Sequence, residues 1–189
     1  KYSFPFGIVP IQNRIFDSRP ERGDIIVFRL PLNPKINYVK RLIGLPGDRI
    51  QVKDSVLYLN GKLVPRKKLE PFLTKDRNGK DVKLDQYQET LPSGKSYNII
   101  EKAYDLPQDN TRVYVVPKDH YFFMGDNRDN SKDSRFSYDV GFIPYKNLVG
   151  EAKIIFMSYD RSEEPHNIFY RIYEFFTKIR FTRIFQNID

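Results

Sequence analysis

The stretch Ile36-Asn37-Tyr38-Val39-Lys40-Arg41-Leu42-Ile43-Gly44-Leu45-Pro46-Gly47-Asp48-Arg49-Ile50-Gln51-Val52 decides the fold class. It reads as strand, turn, strand. Ile36 to Ile43 is rich in β-branched and aromatic residues, and Gly44 to Asp48 carries the residues that tight turns require. In an extended chain Ile36, Tyr38, Lys40 and Leu42 share one face, so Lys40 sits in the middle of an otherwise apolar row. A lysine there snorkels, pairs, or gives up its proton because burial disfavours the charged form. The third outcome makes a general base. Lowering a lysine from about 10.4 to about 7–8 takes about 4 kcal/mol of differential desolvation. The plainer reading is a gatekeeper lysine on an edge strand, and this segment alone does not choose between them.

The same pattern extends outward. Asp24 to Phe28 follows Gly23, and Arg49 to Val52 and Val56 to Leu59 lead into Asn60-Gly61, the strongest short hairpin signal in the chain. Val113 to Val116, Tyr121 to Met124 and Ala152 to Met157 are further short apolar runs bounded by turn residues. No sustained helical period appears between Lys1 and Tyr159. The expected body is therefore mostly β.

Two segments depart from it. Residues 60–117 are polar and charge-dense, with Arg66-Lys67-Lys68 and a second turn pair at Asn78-Gly79. A structureless loop of that length is uncommon in a compact domain, so an inserted subdomain of hairpins is expected. Past Asp160, Ile168, Ile172, Phe175, Phe176 and Ile179 recur at helical spacing, with Asn167 as N-cap. Phe181, Ile184, Phe185 and Ile188 then move to a different face, and Arg171, Lys178, Arg180 and Arg183 are interleaved. Such a tail either docks, on the β body or on another copy, or lies on an anionic membrane surface. The expected division is residues 1–59 with 118–160 as the β core, 60–117 as the insert and 161–189 as an amphipathic helical tail.

Composition narrows the chemistry. The 189 residues include no cysteine, which excludes a disulfide framework, a cysteine nucleophile and thiolate zinc sites. The two histidines, His120 and His166, leave little room for a Ser-His-Asp triad or a histidine metal site. Lysine and arginine number 32 against 24 acidic residues, a net charge of +8, which suits nucleic acid, anionic lipid or acidic partners alike. No apolar run approaches the roughly 18–20 residues that span a bilayer. The chain begins at Lys1 without a methionine or a signal-peptide pattern, as a piece of a longer protein would.

The segment Gly125-Asp126-Asn127-Arg128-Asp129-Asn130-Ser131-Lys132-Asp133-Ser134-Arg135 follows an apolar strand and can satisfy its polar groups internally. A calcium loop of the EF-hand kind is the obvious rival, and it fails. Counting from Asn127, Lys132 occupies the glycine position and Tyr138 the glutamate position; counting from Asp129, position 12 is Val140. Alone, this loop reads equally well as a solvated turn.

Taken together the segments are more specific. Tyr38 to Asp48 resembles the lysine-bearing box of bacterial type I signal peptidases. Gly125 to Arg135 is similar to their Gly-Asp-Asn-x-x-x-Ser-x-Asp-Ser-Arg box, and Arg22 to Phe28 is similar to their preceding strand box. The order agrees, and so does the polar insert. The resemblance runs from about Arg22 to Tyr159 and implies a membrane-anchored serine endopeptidase that removes signal peptides from exported preproteins outside the bacterial plasma membrane. It implies Lys40 as general base of a Ser-Lys dyad, Ser131 as the hydroxyl that orients it, and Gly125 as the residue that leaves it room. Asp133 and Arg135 are implied as a supporting ion pair. Tyr38 and Val39 are implied for the pocket nearest the cut, with Val27 and Asn37 for the other, beside a peptide that adds to a strand edge. No cofactor or metal is implied. The partners implied are preprotein signal peptides and a lipid surface, without nucleic acid, and self-association through the tail stays open.

One departure matters. The family's nucleophile lies in a Ser-Met-x-Pro-Thr box, and no serine here precedes a methionine; Met157-Ser158 has the reverse order. Lys1-Tyr2-Ser3-Phe4 resembles the region just after that box. The resemblance thus places the nucleophile and the anchor before Lys1 and implies that the 189 residues alone are inactive. The alternatives are a proteolytically dead homologue acting as a scaffold, a self-cleaving repressor-type Ser-Lys protease, and a basic nucleic-acid-binding β domain. The repressor-type proteins lack the long insert and the full Gly125 to Arg135 box, and no recognition helix or aromatic-basic signature supports nucleic acid.

Overall fold

The computed structural model describes residues 19–76, 78–102 and 106–152. The described residues from Arg19 through Glu151 belong to one compact unit. The proposed helical tail, and the strand expected at Ala152 to Met157 beyond its first residue, lie outside the described residues.

Strands follow one another with short connections: β1 (Ile25–Leu30), β2 (Asn33–Gly44), β3 (Arg49–Lys53), β4 (Val56–Leu59), β5 (Lys62–Leu63), β6 (Arg66–Lys68) and β7 (Phe72–Lys75). The longer β8 (Asp81–Thr90) and β9 (Ser96–Glu101) come next, then β10 (Tyr114–Val115), β11 (His120–Met124), β12 (Ile143–Pro144) and β13 (Leu148–Glu151). A 3-10 turn at Tyr145–Asn147 precedes β13. The protein is mostly β, as the sequence led us to expect, and its strand pairs are antiparallel.

Among the described residues these strands form three sheets. A five-stranded sheet has the order β12-β11-β2-β1-β13, and a four-stranded one the order β10-β3-β4-β5. In the third, β8 pairs with β6 and β7 along one edge and with β9 along the other. The polar segment is thus built from hairpins, but it begins and ends in the second sheet, since β5 stays on β4 and β10 returns to β3. Asn60 and Gly61 both have positive φ, 54° and 78°, as the two-residue hairpin turn between β4 and β5 demands. The β3–β4 turn is less legible, because its left-handed residues are Asp54 and Ser55, with φ of 48° and 63° and no glycine.

Side-chain alternation on β2 and β11 explains the core. Leu42, Tyr121 and Phe123 pack with Ile26, Phe28, Ile143 and Leu148 in one apolar cluster. Ile43, Phe122 and Met124 face the opposite way, into a cluster with Ile50, Leu57, Tyr97, Ile99 and Val116. These two strands are covered on both faces, which is why Tyr121 to Met124 is a continuous apolar run instead of an alternating one. Phe122 and Phe123 are both fully buried, each contributing about 1.5–3 kcal/mol from surface removed from water. The other end of β2 is different: Asn33 to Asn37 are exposed, so burial rises along the strand toward Lys40 and beyond.

Candidate active site

Lys40 stands at the point on β2 where exposure gives way to burial. It lies opposite Ile26 on β1, and Tyr38, opposite Phe28, precedes it on the same face. The lysine therefore enters the apolar cluster from its rim. Its Nζ lies 2.6 Å from Ser131 Oγ and 5.6 Å from the centre of the Tyr38 ring. Burial pulls the Lys40 amine below the ordinary lysine value of 10.5; Asp133 and Asp126 oppose the shift and Arg135 assists it. Desolvation has the larger effect because a half-buried ammonium loses water that two carboxylates, each already paired with an arginine, only partly replace.

The loop from Gly125 to Arg135 is held by its own polar groups. Asp133 accepts the Gly125 N–H at 3.0 Å, the Arg135 N–H at 3.1 Å, and the Arg135 side chain through Nε and Nη2, both at 2.9 Å. Arg135 Nη2 also donates to the Arg128 carbonyl. Ser134 ties the loop to β11, its Oγ accepting the Phe123 N–H at 2.9 Å. Tyr114 on β10 donates to the Arg135 carbonyl at 2.9 Å. Ser131 is 6% exposed and is delivered to Lys40 by this framework. A Cβ placed on Gly125 would sit 2.0 Å from Ser131 Oγ and 3.4 Å from Lys40 Nζ. The space that glycine leaves open is thus occupied first by Ser131 and only then by the lysine.

The substrate residues implied by resemblance are not gathered on one surface. Tyr38 shares the Lys40 face. Val27 and Val39 are register partners on the opposite face of the β1–β2 ribbon, and Asn37 lies beside them, opposite Arg29. Val39 is 53% exposed and Val27 half-buried. Strand alternation forces this split, because Tyr38 and Val39 are adjacent.

Several contributors were not singled out from the sequence. Arg41, the next residue after Lys40, points to the other side of β2. It forks the Asp126 carboxylate through Nε and Nη2, both at 2.9 Å, donates to the Gly23 carbonyl at 2.9 Å, and stacks 4.2 Å from the Tyr97 ring. Arg128 is buried against Glu89 on β8. The first pair had a signal, one cation and one carboxylate in the two matched boxes. The second had none, since Glu89 is one of several acidic residues in a polar segment. Among the described residues, no group of three His, Asp or Glu side chains is placed to hold a metal ion.

The family model described as "Signal peptidase, peptidase S26" matches residues 5–157. Signal peptidase I of Rickettsia akari is 38% identical over 195 aligned positions, covering 97% of this chain and 71% of the relative. Signal peptidase I of Rickettsia prowazekii is 38% identical over 188 positions, covering 94% and 69%. A solved signal peptidase I from Enterococcus faecalis is 26% identical, with a TM-score of 0.40 over 71% of this chain and 97% of that one. On the sequence matches, the chain belongs to the signal peptidase family, peptidase S26. Its class is accordingly hydrolase, a serine endopeptidase of signal-peptide processing.

Proposed function

We propose that this chain removes N-terminal signal peptides from exported preproteins by Ser-Lys chemistry, with Lys40 as the general base. The observation that carries the reading is the Lys40 amine, desolvated and 2.6 Å from Ser131 Oγ. A neutral amine takes the proton of an attacking serine hydroxyl as the serine oxygen bonds to the scissile carbonyl carbon. It returns that proton to the leaving amine as the C–N bond breaks, then deprotonates the water that hydrolyses the acyl-enzyme. Ser131 orients the amine, Gly125 makes room for the pair, and Asp133 with Arg135 fixes the loop. Tyr38 and Val39 line the pocket nearest the cut, with Val27 and Asn37 contributing to the other.

The nucleophile in this reading is the serine of the family's Ser-Met-x-Pro-Thr box, a run that the 189 residues do not contain. The domain working beside the outer leaflet of a bacterial plasma membrane comprises residues 1–59 and 118–160, with 60–117 as an inserted subdomain. A second reading is favoured by one observation: Ser131 itself presents a hydroxyl within hydrogen-bond reach of Lys40. Burial of Ser131, and the crowding around Gly125, argue for an orienting role instead of attack on a peptide.

Cleavage of a preprotein with small residues at the first and third positions before the cut separates these readings. With the native upstream segment attached, Lys40→Ala is expected to lose activity by at least about 10²–10⁴-fold at unchanged circular dichroism. Ser131→Ala is expected to slow turnover without abolishing it. Substantial turnover by Lys40→Ala would remove the lysine from its role. Robust cleavage by the 189 residues alone would place the nucleophile among them, and complete loss in Ser131→Ala would point to Ser131.

A further inference from the structure

β8 and β9 carry no residue that the proposed chemistry uses, yet they bury charge against the loop that delivers Ser131. Glu89 on β8 is 0% exposed and Arg128 is 3% exposed. Arg128 donates Nη1 to Glu89 Oε1 at 2.7 Å and Nη2 to Oε2 at 2.5 Å. Tyr97 on β9 donates its hydroxyl to the same Oε2 at 2.8 Å. A pair buried this deeply typically adds no net stability over apolar residues of similar volume, because desolvation offsets the attraction. What a bidentate fork does supply is one fixed direction and register.

The backbone of the loop is gripped from the same side. Ile100 on β9 donates to the Asp126 carbonyl at 2.9 Å and accepts the Arg128 N–H at 3.0 Å, forming a parallel bridge to Asn127. The Lys102 N–H, just past β9, donates to Asp129 at 2.6 Å. From Arg128 the route to the site is short. Its carbonyl accepts from Arg135, Arg135 forks Asp133, and Asp133 holds the Gly125 N–H beside Ser131 and Lys40. Tyr97 closes a second route, since its ring lies against Arg41, which pairs with Asp126.

We propose that Glu89 is a positioning residue for the Lys40–Ser131 contact, holding the Gly125 to Arg135 loop on the insert through Arg128. The inference rests on Lys40 acting as the base. Glu89 faces Arg128 and Tyr97; Lys40 faces Asp133, Asp126 and Arg135. In Glu89→Gln the Arg128 guanidinium is left buried without a counter-charge, and the loop must shift or admit water to solvate it. Water reaching Lys40 moves its titration back toward the ordinary lysine value.

The test is an NMR titration of Lys40 in the full chain labelled with 13C at the lysine ε carbons, alongside kcat and KM for preprotein cleavage by the protein with its upstream segment. Glu89→Gln is expected to raise the Lys40 midpoint and to lower kcat by about 3- to 30-fold at nearly unchanged KM. Tyr97→Phe, which keeps the ring against Arg41, is expected to act in the same direction and less strongly. Lys68→Ala on β6, whose exposed side chain pairs with Asp85 and bonds no member of this network, leaves both readouts as in the unmodified protein. If Glu89→Gln does not fold, the double change Glu89→Leu with Arg128→Met replaces the pair by apolar groups and is expected to fold with the same raised midpoint. A folded variant of Glu89 with unchanged Lys40 titration and kcat overturns the proposal. Retained turnover in Lys40→Ala would instead overturn the reading on which it rests.

Discussion

Lys40 and Arg41 are adjacent cations on one strand, and alternation sends them to opposite faces of the sheet. Arg41 meets a carboxylate, a carbonyl and an aromatic ring, so its charge is fully supported. Lys40 meets a hydroxyl and an apolar rim, and its amine is pulled toward neutrality by burial. A base of this kind works only when deprotonated. The acidic limb of kcat/KM is therefore expected to rise with pH at a midpoint below 10.5, and a limb at or above that value would sink the assignment. The stability linkage has a definite sign. Between the lowered folded value and the unfolded one, the unfolded chain binds more protons, so stability rises with pH across that window. Lys40→Met removes that slope, which denaturant midpoints at two pH values would reveal. Gly125→Ala tests the packing of the same site. Its Cβ would meet Ser131 Oγ at 2.0 Å, and overpacking of this degree costs about 1–3 kcal/mol. The expected outcome is a folded protein with a lower melting temperature and impaired turnover, and wild-type activity would show that Ser131 can move aside without consequence.

At the scale of elements, the turn from Gly44 to Asp48 sets where β2 stops and β3 begins. Asp48 accepts the Leu45 N–H at 2.6 Å and the Asn60 side chain at 2.8 Å, and pairs with Arg22 at 2.8 Å. Burial raises its carboxyl, but the hydrogen bonds from Arg22, Asn60 and Leu45 outweigh that and hold it below its ordinary value of 3.8. Its contribution is thus present above pH 3.8 and is lost as pH falls through the lower folded value. Asp48→Asn is expected to destabilise by about 1–3 kcal/mol at neutral pH, with the difference from the native protein shrinking in acid; thermal melts across pH would detect it, and a constant difference would contradict the account. The elements also show which local signals were readable. Asn60-Gly61 announced its hairpin because both residues tolerate positive φ. Asp54-Ser55 makes the same kind of turn with residues that tolerate it less well, braced by the Asn110 side chain and the Asp109 carbonyl. That bracing comes from about 55 residues away, where no local pattern could register it.

At the scale of the whole molecule, the net charge of +8 suits an anionic partner, and the proposed work at a membrane makes anionic lipid the one to test. Co-sedimentation with vesicles is expected to show binding to anionic lipid and little to zwitterionic lipid. That binding should weaken as the screening length contracts from about 30 Å at 0.01 M salt to about 8 Å at 0.15 M. Equal, salt-independent binding to both would refute an electrostatic origin.

The family and the β class were legible along the chain. Three ordered boxes carry the resemblance, and the absence of cysteine with only two histidines fits the lysine-based serine chemistry that the resemblance implies. What only the tertiary structure decided is the company each residue keeps. Periodicity put Lys40 on a face, but 91 residues separate it from the hydroxyl it touches. Arg41 and Asp126 were both in view as sequence, and their pairing was not. Glu89 looked like one more charge on a solvated insert and lies fully buried under Arg128. The physical reason is that strand patterns specify direction and face from neighbours two residues apart, whereas desolvation and ion pairing depend on segments brought together by closure of the sheets.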